Sequence, residues 1–412
     1  MPKQKKGFLL IPKFPWIYSI FARMKSTKHP AAALLYILFL CAVLGSPIHT
    51  FAQDKSGLIK RLADKFLSNS EENNRNPSLI VIPSLGYSQE TGFEYGLGGV
   101  YNFYLHKENL KNRSSNISAS ATMTTEKQKN FKLESDIWTN NNDYHFITEL
   151  RLRDWPFNFY GLGMNTWDAD KERVGQKMLR IKIESERKVQ NQIYAGLSLK
   201  YEHLKYEPGE SDATFENADM KGKEGGQYLA FGPIFSIDFR NTNTYTTKGV
   251  YLRGIFNFAP KFWGEDDFHG NMIEADARYF HPLSSKIALG SQILYRGTTG
   301  EKPPYYAHNP LGGSNSMRGY YEGRYLDKNY LSGQVEARFR IFPRIGFTLF
   351  SGIGSTFSKQ HNDRWIGSAG GGIRYFYSLE HKSTLRLDYA VGEKRPGEGR
   401  QSGFYLSLSE AF

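Results

Sequence analysis

Lys177-Met178-Leu179-Arg180-Ile181-Lys182-Ile183-Glu184-Ser185-Glu186-Arg187 alternates with a period of two, setting Leu179, Ile181 and Ile183 on one face and Arg180, Lys182 and Glu184 on the other. That period belongs to a strand, whose successive side chains point to opposite faces. It recurs at 284–298, where Ile287, Leu289, Ile293 and Tyr295 alternate with Ala288, Gly290, Gln292 and Arg296. Carried along the chain, the same reading predicts sixteen strands, the first at 78–87 and the last at 402–412. Most hold ten or more residues, the length a tilted strand needs to cross a bilayer, and an even number returns both ends of a barrel to one side. A soluble sandwich also alternates, but this chain offers no second apolar layer for it to pack on.

The connections alternate as well. Tight turns (Lys188 to Gln192, His281 to Lys286, Phe342 to Gly346, Ser378 to Lys382) are interleaved with long polar ones (Asp154 to Gln176, Glu207 to Gly225, Gly300 to Asn329, Gly392 to Ser402). Short turns on one rim and long loops on the other are the pattern of an outer-membrane barrel. Aromatics near strand ends, among them Tyr101, Phe103, Phe256, Phe258, Tyr375 and Tyr377, are then expected to form interfacial girdles.

Composition agrees. Aromatics are 15% of the 412 residues, with 26 Tyr, 29 Phe and 40 Gly, yet only 40% are hydrophobic, and the mean hydropathy is −0.53. A helical membrane protein needs several apolar runs of about 20 residues, and a disordered chain is poor in aromatics. Of the 53 Lys/Arg, seven fall in residues 1–52, where there is no Asp or Glu, so much of the basic excess is a targeting signal and no nucleic-acid partner is expected. Within that segment Ala31 to Leu44 is one apolar run, preceded by Lys25 and Lys28 and followed by small residues to Ala52. Residues 1–52 therefore read as a signal peptide, with Met24 as an alternative start. The single cysteine, Cys41, lies inside it. Residues 53–77 read as a periplasmic segment with one amphipathic helix (Leu58, Leu62, Phe66), and 78–412 as the barrel.

Two stretches carry a resemblance. The final residues Gly403 to Phe412 place Phe404, Leu406, Leu408 and Phe412 on one face of a strand that ends on an aromatic. This resembles the C-terminal signal that the barrel-assembly machinery recognises by strand pairing. More specific is Leu311-Gly312-Gly313-Ser314-Asn315-Ser316-Met317-Arg318-Gly319-Tyr320-Tyr321, between the eleventh and twelfth strands. It resembles the Arg-Gly-aromatic motif on the sixth extracellular loop of the BamA/TamA superfamily, the bacterial surface antigen family. Phe235 to Asn241 with Thr247-Lys248-Gly249, Phe159 to Gly163 and Pro83 to Tyr87 are similar to further stretches of that family.

The resemblance implies a loop folded into the lumen, with Arg318, Gly319 and Tyr320 as its lock. A guanidinium removed from water must be paired, and strand parity turns Gln334, Glu336 and Arg338 inward, so Glu336 is the leading partner. The family's Phe-x-Asp-x-Gly pattern is broken here, since Phe350-Ser351-Gly352-Ile353-Gly354 has no carboxylate at Gly352. Asp388, also inward, is the expected second acceptor. Gly370-Gly371-Gly372 is expected to form a bulge or a close approach to the inserted loop. The inward charges Lys132, Glu134, Asp136, Glu149, Arg151, Arg180, Glu184, Glu274, Asp276 and Arg278 read as a wetted lumen wall.

No hydrolase, phosphate-loop, metal or cofactor motif is present, so the chain is expected to be no enzyme and to hold no metal or cofactor. The family's periplasmic POTRA domains find no counterpart before the first strand, which calls for a periplasmic partner in their place. The implied role is insertion or translocation of proteins or lipids at the outer membrane of a Gram-negative bacterium, in contact with its lipids. The alternative is a passive pore or structural barrel of the same architecture.

Overall fold

The computed structural model describes residues 75–88, 92–207, 215, 220–264, 267–300, 302–361 and 364–412. The signal peptide expected over 1–52, with Met24 and Cys41, and the helix expected around Leu58, Leu62 and Phe66 lie outside the described residues.

Nineteen strands follow in order among the described residues: β1 (Ser78–Ser88), β2 (Gly92–Phe103), β3 (Ser115–Thr124), β4 (Lys129–Trp138), β5 (Tyr144–Asp154), β6 (Phe157–Phe159), β7 (Glu172–Gln190), β8 (Ile193–Glu207), β9 (Gly225–Asp238), β10 (Gly249–Ala259), β11 (Gly270–Pro282), β12 (Ile287–Thr299), β13 (Asn309–Leu311), β14 (Tyr325–Asp327), β15 (Asn329–Phe339), β16 (Ile345–Phe357), β17 (Ile366–Ser378), β18 (Ser383–Lys394) and β19 (Arg400–Ser407). Sixteen of them build an antiparallel, nearly closed barrel in which each wall strand pairs with the next in sequence. The other three hold only three residues each. β6 extends the edge of β7, and β13 pairs with β14 inside the long connection 300–328.

Burial along the wall is inverted relative to a soluble protein. On β7, Ile181 and Ile183 are 38% and 46% exposed, while Glu184 and Glu186 are 2% exposed. Apolar side chains therefore face outward and carboxylates inward, which is stable only if the outside is lipid. The rims differ in length less cleanly than the sequence predicts. On the rim of tight turns, 104–114 and 239–248 run long, and on the opposite rim 125–128 and 395–399 are short.

The closure departs from a simple cylinder. Among the described residues no ladder pair joins β1 to β19. Instead the sheet overlaps itself: inward residues Ile80 of β1 and Val100 of β2 are buried against Tyr375, Tyr377, Leu385 and Leu408. Leu385 shares strand parity with Leu387 and Tyr389, which are 38% exposed on the outer face, so the inner face of β1–β2 lies over the outer face of β17–β19. Asn102 of β2 donates to the Tyr377 hydroxyl at 3.2 Å and accepts from Ser383 at 3.2 Å. Two local causes suit this arrangement. Pro83 sits mid-strand in β1 with no N–H to offer a neighbour, and β19 stops at Ser407, after which the chain turns into the lumen.

Two expectations are corrected accordingly. The last strand is 400–407, not 402–412, and among the described residues its ladder partner is β18. Tyr377, expected in an interfacial girdle, is 8% exposed beneath β2, whereas Tyr101, Phe256 and Phe258 remain exposed on the outer face.

Candidate functional site

The connection between β12 and β15 descends into the barrel and brings Arg318 to a place where its side chain has no solvent exposure. Its Nη1 donates to Asp388 Oδ2 at 2.7 Å and its Nη2 to Glu336 Oε2 at 2.9 Å. Its guanidinium carbon lies 3.4 Å from the centre of the Phe350 ring, so the plane is stacked as well as paired. The structure thus brings Arg318, Glu336 and Asp388 together.

Neighbouring wall arginines extend the network. Arg338 Nε donates to Glu336 Oε1 at 2.9 Å, Arg374 Nη1 to Asp388 Oδ1 at 2.6 Å, and Arg386 Nη1 to Asp388 Oδ2 at 3.2 Å. These guanidinium and carboxylate groups are fully buried, so each would be costly without its partners. Arg386 also reaches the loop itself, through Ser314 O at 3.0 Å and Asn315 Oδ1 at 3.2 Å.

Gly319 has φ +105°, and a Cβ there would lie 2.8 Å from the Val391 carbonyl carbon of β18. The loop can approach that strand only with glycine at this position. The Gly319 N–H donates to the Tyr405 hydroxyl at 2.9 Å, which ties the loop to the last strand. Tyr320 donates its hydroxyl to Gly367 O at 2.7 Å and accepts from the Glu393 N–H at 2.9 Å.

The missing carboxylate at Gly352 has a steric counterpart. Met317 of the loop packs there, with its Sδ 3.4 Å from where a Gly352 Cβ would stand and 3.0 Å from that of Gly354. Gly370 to Gly372 form no bulge, the one register shift of β17 falling between Phe376 and Ser378. They lie in regular register opposite β16 and β18, and a Cβ at Gly372 would collide with Asp388 Oδ1 while one at Gly370 would meet the Phe350 ring. The glycines clear space for the two groups that hold Arg318.

Phe404 and Leu406 lie on β19 with strand parity toward the outside, Phe404 against Tyr389 at 4.5 Å between ring centres. Leu408 and Phe412 do not continue that lipid-facing row. Leu408 lies 3.7 Å from the inward Cβ position of Gly98, and Phe412 is buried inside the barrel beside Phe280. The turn is held by charge: Arg374 Nε donates to Glu410 Oε2 at 2.8 Å, Thr384 to Glu410 Oε1 at 2.6 Å, and Arg338 Nη2 to the Phe412 carbonyl at 2.8 Å.

The Omp85 superfamily domain matches residues 109–412. The chain belongs to the Omp85 superfamily. Solved structures agree at the level of fold. This Omp85 barrel matches CdiB from Escherichia coli with a TM-score of 0.52 at 11% identity, over 80% of this chain and 62% of that one. It matches CdiB from Acinetobacter baumannii at 0.51 and 13%, over 81% and 60%, and BamA from Haemophilus ducreyi lacking POTRA domains 1–3 at 0.50 and 13%, over 80% and 69%. The chain therefore spans about 60 to 69% of the length of these neighbours. No curated protein matches it by sequence.

Beyond the lock, the Omp85 lumen wall carries charges expected from parity, paired and, apart from the buried Asp276, part-exposed: Lys132 with Glu134 at 2.6 Å, Arg180 with Glu149 at 3.5 Å, Arg278 with Asp276 at 2.5 Å and Arg296 with Glu274 at 2.9 Å. The stretch Phe159 to Gly163 packs on the inserted loop, with Phe159 against Tyr305 and the Gly163 N–H donating to Leu326 O at 2.8 Å. Sequence reasoning missed Arg374, Arg386, Tyr405 and Glu410. Inward parity on β17 and β18 was the available signal for the two arginines. Nothing in the sequence signalled Glu410, because it acts only after the chain leaves strand geometry.

Proposed function

We propose that this Omp85 barrel works in the outer membrane as a factor for insertion or translocation of proteins or lipids, without chemical catalysis, and that the overlap of β1–β2 on β17–β19 is the part that opens. The observation that carries this reading is the seam. An edge that is overlapped and not laddered can part by sliding apolar side chains, with no row of backbone hydrogen bonds to break. The β1 edge would then offer its unpaired backbone to an incoming strand, the strand-addition mode of recognition. The barrel-assembly machinery is proposed to insert this chain through β19, with Phe404 and Leu406 as its outward residues, and a periplasmic partner is proposed to deliver substrates.

A structural barrel is the second reading, and one observation favours it. Arg338 fixes both Thr246 O of the 239–248 turn, at 2.6 Å, and the Phe412 carbonyl inside the barrel, which obstructs a simple pore.

The deciding experiment uses disulfide trapping. No cysteine follows Cys41, so Gly98→Cys with Leu408→Cys places the pair uniquely across the overlap. Oxidation is expected to abolish rescue of a strain depleted of the protein, and reduction to restore it. Full rescue by the crosslinked protein would remove lateral opening and put the structural barrel first.

A further inference from the structure

We infer that the outer wall of β2–β8 holds a binding site for a phosphorylated, multiply acylated lipid of the outer leaflet. Cross-strand register places Met123, Lys129, Asp154, Lys177 and Lys205 side by side on β3, β4, β5, β7 and β8. All five share the parity of the exposed residues Phe131, Leu152 and Ile181, so the row faces outward. It stands at the ends of the strands that carry the long loops, which is the extracellular side of an outer-membrane barrel. Trp263, exposed and 6.1 Å from the Tyr201 ring, and the exposed Phe262 beside it mark the interface nearby.

Below the row lies an open apolar groove of about 780 Å³, lined by Tyr95, Leu97, Ala121, Phe131, Leu152 and Leu179 among others. It follows from one small side chain among large ones: Ala121 pairs with Leu97 and Phe131, whose own neighbour is Leu152. An acyl chain fills such a depression as a protein side chain would.

The lysines select the headgroup. A cation on a lipid-facing wall is tolerated where its stem crosses apolar surface and its amine reaches the headgroup level. Lys177 is answered by Glu207 at 3.0 Å, while among the described residues no carboxylate lies within ion-pair distance of Lys129 or Lys205. With Asp154 in the row, three lysines face two carboxylates, and the two unpaired amines stand three strand spacings apart, roughly 15 Å. That separation suits a headgroup with more than one phosphate, and basic clusters at a membrane boundary attract phosphate. On β11 and β12 the same level carries no charge, and Asn271 there donates to Thr299 at 3.1 Å.

The test is native mass spectrometry of the full chain in mild detergent, titrated with diphosphorylated hexa-acyl lipid A. One bound lipid is expected, with affinity lowered about thirtyfold by Lys129→Gln, Lys177→Gln and Lys205→Gln combined, at about 1 kcal/mol for each of the two lysines outside ion-pair distance. Ala121→Trp should weaken binding through the groove alone, with every lysine retained. Lys107→Gln with Lys286→Gln, on turns of the opposite rim, should leave binding unchanged. Lipid A lacking its phosphates should bind the unaltered protein only as well as lipid A binds the triple variant, and millimolar inorganic phosphate should not compete. The site is overturned if the folded triple variant or Ala121→Trp binds as the unaltered protein does, or if phosphate-free lipid A binds equally well.

Discussion

Arg374 of β17 and Glu410 of the C-terminal tail meet at 2.8 Å, and both side chains are buried. The same guanidinium holds Asp388, one of the two carboxylates that receive Arg318. The inserted loop and the inturned tail are thus coupled through one arginine. We predict that Arg318→Ala and Glu410→Gln are non-additive in stability, with a coupling of roughly 0.5 to 3 kcal/mol, as for residues in one network. A double-mutant cycle on the midpoint of heat modification measures it, and strict additivity would contradict the coupling.

Arg318→Ala should lower stability by about 3 kcal/mol, the lower end of the cost of breaking a buried pair, because Arg338 and Arg374 still counter both carboxylates. The 300–328 connection should also become protease-sensitive. Arg318→Lys should recover only part of the loss, since one amine cannot serve both acceptors in a plane while stacking on Phe350. Unchanged thermal behaviour and unchanged proteolysis would reject the lock.

Gly319→Ala tests the approach of the loop to β18. A methyl group at φ +105° meets the β18 backbone at 2.8 Å, and holding that conformation costs about 1 to 3 kcal/mol before any clash. The expected result is a loop displaced from Tyr405, read as faster hydrogen exchange of residues 312–324. Protection equal to that of the unaltered protein would show that the contact is dispensable.

The tight-turn rim should respond to acid through His381. Burial holds this imidazole below its ordinary value of 6.5, and the nearby Arg75 acts in the same direction. The ring stacks on Tyr104, with Nδ1 2.7 Å from Ser114 Oγ and Nε2 donating to Asn76 O at 3.0 Å. A histidine whose folded pKa is depressed contributes stability that is complete above 6.5 and declines as pH falls through 6.5 toward the folded value. Protection factors at 104–114 and 379–382, corrected for the intrinsic pH dependence of exchange, should therefore fall between pH 7.5 and pH 5. His381→Gln should remove that pH dependence; if it persists in the variant, His381 is not its source.

Integral membrane character is the plainest prediction. With Ile183 at 46% and Leu197 at 69% exposed on the outer wall, the chain should stay in the membrane fraction through high salt and carbonate, and should migrate differently on gels before and after boiling. Release by either wash would contradict a lipid-facing wall.

What the sequence determined by itself was the wall. Period-two alternation is local, so Ile181 and Glu184 declare opposite faces whatever lies around them, and the number and order of strands follow. Parity also turned Glu336 and Asp388 to the same side as the approaching Arg318. The tertiary structure alone decided where the wall ends and how it closes. Leu408 keeps the alternation of a lipid-facing strand, yet Arg374 lies 36 positions before Glu410 and pulls the following residues inward. The overlap that buries Tyr377 under Asn102 joins residues 275 positions apart. Such contacts depend on barrel curvature and on charges brought together across the lumen, which no local period encodes.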